Sequence, residues 1–288
     1  MVIRNKQNGV FVTEEPLLKY KDEDKVAREK FPFNLRNEFG TKKNKDDEDF
    51  FSWCETRRLA VLSGNPEWNK YDALIKKLMS EMNNHLLRTT PHYTQVDWRW
   101  IKAMAWTESG AAQEEWHSNI MQIGVRYDPG ILVVTKGKEM AGVVTPDIPE
   151  WKNLNEMQIR EIPEINFRAA IIYLMNSLSI VSLRSVKKPC IAPLSVTISR
   201  KEKINTLNDI VNKKNTTIDV LYEMNNIPAY LHEGDVFKYV PAVEKRVIVG
   251  WNLPINAQRI ALAYNGGGDP KYIEKIKYTH SLIMSIPR

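Results

Sequence analysis

Apolar residues recur at helical spacing through the first half of the chain. Residues 50–87 carry a stripe with an i, i+4 period, which predicts helix. The stripe comprises Leu74, Leu78 and Met82. A second helix is predicted to begin after Asp97, whose side chain suits an N-cap, and to run to Ser109, where Gly110 ends it.

The pattern then becomes irregular before a strongly apolar stretch. Residues 125–151, "VRYDPGILVVTKGKEMAGVVTPDIPEW", are rich in Gly and Pro, which predicts a long loop with one short strand pair. Residues 162–181, "IPEINFRAAIIYLMNSLSIV", are apolar on nearly every side of a helix. Such a helix is expected to be buried.

A different pattern occupies residues 194–242. "LSVTIS" and "DVFKYVP" alternate as strands do, while "INTLNDIVNKKN" and "TIDVLYEMNN" predict two short helices between them. This order is a βααβ unit. Helical spacing returns at 256–283, with an interruption at 266–269 and Pro270 as the first residue of the resumed helix.

These elements predict a mainly α fold in which one helical domain is discontinuous. We expect that domain to comprise residues 49–193 and 245–288, with a small module inserted at 194–244. Residues 1–48 mix both charge signs and predict an arm or linker.

Composition and charge narrow the class of protein. The chain has 288 residues, of which 43% are hydrophobic and 26% charged, and it has no apolar run near the roughly 18 residues that span a bilayer. The N-terminus has no features of a secretory signal. The net charge of +6 includes a basic cluster at 184–203, which suits a polyanion such as nucleic acid, anionic lipid or bacterial wall, or a solvated face that binds nothing.

Two cysteines, Cys54 and Cys190, lie far apart without metal-ligand spacing. A single disulfide and two buried free thiols are both compatible with them. No metal and no cofactor is indicated.

Glu108 is the carboxylate whose surroundings favour chemistry. The helical turns before it are apolar and aromatic, and such surroundings disfavour the ionised form of a carboxyl, which can then serve as a general acid. The alternative is an exposed residue at a helix end. Glu114 and Glu115 lie in a polar segment and are expected to be solvated.

Four separated motifs add a resemblance. They are "TES" at 107–109, "MQIG" at 121–124, "INFRAAIIYL" at 165–174 and "ALAYNGGGDPKY" at 261–272. Their order resembles that of the goose-type lysozyme and soluble lytic transglycosylase superfamily. Their residues are most similar to those of phage-derived and type VI secretion-associated wall hydrolases. The resemblance implies a lysozyme-like helical domain.

The resemblance also implies roles for individual residues. Glu108 would be the catalytic acid/base, and Tyr264 would reach its carboxylate. Met121 and Gln122 would line the cleft floor. The residues implied to bind substrate are Ser109, Met121, Gln122, Asn265 and Trp116.

The connector between the first two motifs departs from the family pattern. Met121 follows Glu108 by 13 positions, whereas the family has a longer loop that ends in "GxxGLMQ". Trp116 in this connector is open to two interpretations: it stacks on a sugar ring, or it attaches the shortened loop to the core. His117 has no nucleophile or metal-ligand partner in the sequence and is interpreted as a loop or cleft-wall residue.

The βααβ unit resembles the LysM domain, which binds glycans that contain N-acetylglucosamine. "TLNDIVNKKNTTIDVLYEMNNI" and "LHEGDVFKYVP" carry the resemblance, but Ile204 and Asn205 replace the usual Gly-Asp before Thr-Leu. Glycan binding and a purely structural role therefore both remain open.

The resemblance predicts cleavage of the β-1,4 bond between MurNAc and GlcNAc in peptidoglycan. Hydrolytic glycosidases ordinarily use two carboxylates, whereas a lytic transglycosylase needs one. Asp128 and Asp147 follow "MQIG" and could supply a second acid or serve in turns. A lytic transglycosylase is therefore preferred over a muramidase (hydrolytic lysozyme) or a non-catalytic component that binds the cell wall.

The expected partners follow from that function. They are peptidoglycan glycan strands, a secretion apparatus and, if the protein is an antibacterial effector, a cognate immunity protein; a wall-remodelling role is the alternative. No nucleic acid is expected as a ligand. The protein is expected to be made in the cytoplasm and to act in the periplasm or at the cell wall after export by a dedicated route.

Overall fold

A computed structural model describes residues 45–124, 128–137, 139–189, 191–266 and 268–286. The fold is mainly α, as predicted, with two small antiparallel sheets. The predicted arm at 1–48 lies almost wholly outside the described residues. None of the helices described has the length and apolarity needed to cross a bilayer.

The chain divides into two compact units, and the second interrupts the first. Unit 1 comprises the described residues of 45–180 and 250–286, and unit 2 comprises 181–249. Unit 2 thus begins and ends beyond the limits of 194–244 predicted for the insert, because its compact part includes most of two strands that flank the βααβ elements.

Unit 1 consists mainly of helices joined by short connections. They are α1 (Lys45–Leu62), α2 (Asp72–Thr89), α3 (Trp98–Glu108), α4 (Pro129–Thr135), α5 (Ala141–Val144), α6 (Glu156–Glu161), α7 (Pro163–Leu178), α10 (Ala257–Ile260) and α11 (Tyr272–Ser285). Short 3-10 turns at Pro66–Asn69, Glu114–His117 and Pro149–Trp151 supplement them, and a π-helical segment at Ala261–Asn265 continues α10.

Helix α3 begins and ends where the sequence predicts. The Asp97 side chain accepts a hydrogen bond from the Arg99 amide at 2.9 Å and caps the first turn. Gly110 follows the last turn with a φ of 75°, a left-handed conformation that favours glycine. Helix α11 packs along α3, and the hydroxyls of Thr107 and Thr279 lie 3.1 Å apart where the two helices meet.

Helix α7 is buried on nearly all sides, as its apolarity predicts. It ends at Leu178, three residues before the predicted end, because strand β1 (Ser179–Lys187) starts there and pairs with β4 (Ala242–Trp251). The sequence did not predict these two strands.

The segment after Gly124 corrects another prediction. The short strand pair expected within residues 125–151 is wrong for the residues described there, which form α4, α5 and a 3-10 turn. Asp128 caps α4 through a 2.8 Å hydrogen bond from the Gly130 amide, and Pro129 occupies the first helical position. This N-terminal signal starts a helix within a composition that otherwise predicts a loop.

Unit 2 contains the βααβ elements in the predicted order. They are β2 (Leu194–Thr197), α8 (Leu207–Lys214), α9 (Ile218–Met224) and β3 (Val236–Tyr239). Strands β2 and β3 pair antiparallel, with Leu194 opposite Tyr239. The unit has its own apolar core, formed by Val196, Ile198, Ile204, Ile210, Leu221, Phe237 and Tyr239.

Candidate active site

Glu108 is the last residue of α3, and its exposed fraction is only 1%. The turns before it are buried, including Met104, Ala105 and Trp106, whose exposed fractions are all 0%. The alternative of an exposed residue at the helix end is therefore wrong. Such surroundings withhold the carboxyl from bulk water. General acids are commonly found in buried environments of this kind.

A tyrosine on α11 donates a hydrogen bond to this carboxyl. The Tyr272 hydroxyl lies 2.6 Å from Glu108 Oε1, and the exposed fraction of Tyr272 is 1%. Tyr272 is the last residue of the motif "ALAYNGGGDPKY", but sequence reasoning assigned it no role. Its position in that motif was the available signal. A short hydrogen bond from a hydroxyl fixes the orientation of the carboxyl.

Tyr264, the tyrosine expected to reach the carboxylate, lies in the π-helical segment. Its hydroxyl donates to the Met121 carbonyl at 2.8 Å, and its ring packs edge-on against Tyr173. Tyr264 thus fixes the segment that carries "MQIG". Single π-helical turns within α-helices occur frequently at functional sites.

Gln122 contacts Glu108 through a hydrogen bond, and Met121 contacts α7. The Gln122 side-chain amide donates to the Glu108 carbonyl, and its backbone has a φ of 48°, which is uncommon for a residue other than glycine. The Met121 amide donates to Asn166 Oδ1 at 2.8 Å. The Met-Gln pair is thereby joined to the end of α3 and to α7.

Asn166 joins the third motif, "INFRAAIIYL", to the second, "MQIG". It is fully buried, and its amide also donates to Asn119 Oδ1 at 2.7 Å and to the Ile159 carbonyl at 2.8 Å. A buried side-chain amide with such partners holds together segments from distant parts of the sequence. Sequence reasoning placed Asn166 in a core helix without assigning it this role.

Ser109 and Asn265, which were expected to bind substrate, have structural partners. Ser109 is 1% exposed, and its hydroxyl lies 3.4 Å from the Ala105 carbonyl. The half-buried Asn265 accepts a hydrogen bond from the Asp269 amide at 2.9 Å and so closes the turn after the π-helical segment.

Trp116 was expected to bind substrate, but its side chain is buried in the core. The indole is 1% exposed and packs against Trp68 and Tyr71, and the Tyr71 hydroxyl donates to the Trp116 carbonyl at 2.9 Å. A ring buried in this way presents no face to a sugar. Of its two interpretations, attachment of the shortened connector to the core is the correct one. His117 is exposed, with its Nδ1 lying 3.3 Å from Lys70 Nζ.

The two candidate second carboxylates have other uses. Asp128 is buried and accepts hydrogen bonds from the Gly124 amide at 3.0 Å and the Gly130 amide at 2.8 Å. Asp147 is exposed and pairs with Lys152. Both serve in a turn or at a helix end, the common use of aspartate.

Two ionisable groups are buried on α1. Burial raises the pKa of the Cys54 thiol well above its usual range, and Cys54 is a free cysteine. Cys190 lies outside the described residues. Burial lowers the pKa of Arg57 to about 9, so the guanidinium is still cationic at neutral pH.

The residues that replace Gly-Asp in unit 2 have clear local roles. Ile204 is buried in the core of the unit, and the Asn205 amide donates to Asp209 Oδ2 at 2.9 Å. The same carboxylate oxygen accepts the Thr206 amide as part of a capping box for α8.

Comparisons of the chain with protein-family models, curated proteins and solved structures gave no significant match. Within the described ranges, no group of three or more His, Cys, Asp or Glu side chains could hold a metal ion. The candidate site therefore depends on the geometry around Glu108 and on the motifs that pointed to it.

Proposed function

We propose that the protein cleaves the β-1,4 bond between MurNAc and GlcNAc in peptidoglycan as a lytic transglycosylase, with Glu108 as its single acid/base. The observation that carries this proposal is the buried Glu108 carboxyl with the Tyr272 hydroxyl 2.6 Å from Oε1. A protonated carboxyl held in one orientation is suited to deliver its proton to a glycosidic oxygen.

The reaction has two proton transfers at the same group. Protonated Glu108 gives its proton to the glycosidic oxygen, and the bond from that oxygen to C1 of MurNAc breaks. The carboxylate then accepts the proton of the 6-hydroxyl of the same sugar, whose oxygen bonds to C1 and closes a 1,6-anhydro ring. The Tyr272 hydroxyl donates to Glu108 Oε1 and stabilises the carboxylate between the two steps.

The uses of the two candidate second carboxylates, Asp128 and Asp147, favour a lyase over a muramidase. A hydrolytic enzyme ordinarily needs a second carboxylate as nucleophile or base. Asp128 is occupied as a helix cap, and Asp147 forms a surface ion pair with Lys152. Neither arrangement resembles a carboxylate that faces a substrate across from Glu108.

Substitution of Glu108 tests the proposal. Glu108→Gln keeps the size of the side chain but removes its acid, so release of fragments from purified sacculi should fall by about 100-fold or more. Glu114→Gln is the matched control because Glu114 is an exposed glutamate in the connector that follows α3. Activity of Glu108→Gln equal to that of the wild type would refute the assignment.

Mass spectrometry of the released fragments separates the two chemistries. Fragments from a lytic transglycosylase end in an anhydro sugar and are one water lighter than fragments with reducing ends. Reducing ends alone would replace the lyase with a muramidase while leaving Glu108 as its acid.

A further inference from the structure

The last turn of α3 has an unusual partner from another helix. Carbonyl groups in the last turn of a helix have no amide partner within that helix. One of them, the Trp106 carbonyl, accepts a hydrogen bond from Arg57 Nε on α1 at 2.8 Å. Glu108, the last residue of α3, lies two positions beyond this carbonyl.

The Arg57 guanidinium is held in one place by aromatic rings. Arg57 is 2% exposed, and its Cζ lies 3.7 Å from the ring centroid of Trp53 and 6.0 Å from that of Trp68. A planar guanidinium stacked on an indole loses much of its freedom to rotate. The Trp106 carbonyl therefore accepts its hydrogen bond from a side chain that is held in one position.

Gly110 leaves the space that the guanidinium needs. A Cβ atom at this position would lie 3.2 Å from Arg57 Nη2 and 3.0 Å from the Trp68 ring. The chain thus turns away from α3 at a residue that has no side chain to displace Arg57. The amides of Ser109 and Gly110 both donate to the Ala105 carbonyl, at 3.1 and 3.2 Å, and close the last turn.

We propose that Arg57 is a positioning residue for Glu108: its buried cation binds the carbonyl end of α3 and keeps the final turn in the geometry that brings the Glu108 carboxyl to Tyr272. A cation at the C-terminus of a helix is favoured by the helix dipole. The role assigned to Arg57 in catalysis rests on the proposed function of Glu108.

Hydrogen exchange tests the structural half of this inference in the full chain. Arg57→Met keeps much of the apolar stem but removes the hydrogen bond and the charge, so exchange of the Ser109 and Gly110 amides should become at least about tenfold faster. Arg58→Met is the matched control, because Arg58 is the next residue of α1 and pairs with Glu55. Equal exchange at Ser109 and Gly110 in both variants would overturn the inference.

Kinetics tests the other half. In Arg57→Met, the rate at saturating sacculi, per folded molecule, should fall about tenfold while the concentration of sacculi for half-maximal rate stays unchanged. Arg57→Lys keeps a cation and one donor, so it should recover part of the rate, and it also replaces Arg57→Met if that variant does not fold. An unchanged rate with faster exchange would overturn the positioning role.

The two proposals fail in different ways. A wild-type protein without activity on sacculi would refute the proposed function, whereas the exchange measurement would still decide whether Arg57 holds the last turn of α3.

Discussion

Removal of the Tyr272 hydroxyl tests whether its hydrogen bond to Glu108 contributes to catalysis. Tyr272→Phe keeps the buried ring and deletes the donor that lies 2.6 Å from Glu108 Oε1. A hydrogen bond to a charged group is worth about 1.5–3 kcal/mol, so we expect the rate of sacculus cleavage to fall by about 10- to 100-fold. The initial rate at saturating sacculi measures this loss.

Tyr278 supplies a matched control on the same helix. It is also 1% exposed, but its hydroxyl donates to the Cys54 carbonyl at 3.0 Å. Tyr278→Phe should lower the free energy of unfolding by about 1 kcal/mol and leave the rate per folded molecule unchanged. Equal rates in the Tyr272 and Tyr278 variants would mean that the contact with Glu108 has no part in the chemistry.

At this scale, local sequence predicts environment better than it predicts partners. The burial of Glu108 could be expected because the turns that precede it in α3 are apolar and aromatic. Its contact with Tyr272 could not, because the two residues are 164 positions apart and meet only when α11 packs on α3. Arg57 was missed because its partner Trp106 is 49 positions away, and because two adjacent arginines in a helical pattern are typical of a solvated face.

Among the elements, α4 shows how one capping residue outweighs composition. Residues 128–137 combine Gly, Pro and a short apolar run, which predicted loop and strand. The Asp128 cap and Pro129 at the first helical position instead allow that run to coil as α4. Strand β1 was missed for a non-local reason, since its partner β4 lies more than fifty residues further along the chain.

The cap at α4 gives a prediction that bears on the reaction type. Asp128 uses both carboxylate oxygens as acceptors, one for Gly124 and one for Gly130, whereas asparagine has a single acceptor oxygen. Asp128→Asn should therefore cost about 1 kcal/mol in the free energy of unfolding and keep sacculus cleavage within about threefold of the wild type. Urea unfolding and the cleavage rate per folded molecule measure the two effects. Loss of cleavage in a folded Asp128→Asn protein would instead indicate a second catalytic carboxylate, and hence a muramidase.

For the whole molecule, the sequence predicted an insertion and the structure has two compact units with residues 181–249 as the second. The basic cluster at 184–203 lies within unit 2. The predicted boundaries followed the βααβ pattern, which has a clear period. The flanking strands lack the two-residue alternation of buried and exposed positions, and so left no signal of that kind.

The organisation of unit 2 predicts that it folds alone. Its apolar core is formed by residues of β2, β3, α8 and α9 and of the segment between β2 and α8, and β2 and β3 pair with each other. A domain that has its own hydrophobic core can in principle fold in isolation. A fragment of residues 181–249 should therefore unfold in a single cooperative transition in urea.

Phe237→Ala, which removes a ring that is 3% exposed, should abolish that transition or lower the free energy of unfolding by about 3–5 kcal/mol. Tyr230→Ala, a change at a side chain that is 78% exposed, should leave the transition within about 0.5 kcal/mol of the unsubstituted fragment. A fragment that shows no transition would mean that unit 2 requires unit 1 to fold, in which case the insert is a structural extension of the helical unit instead of an independent module.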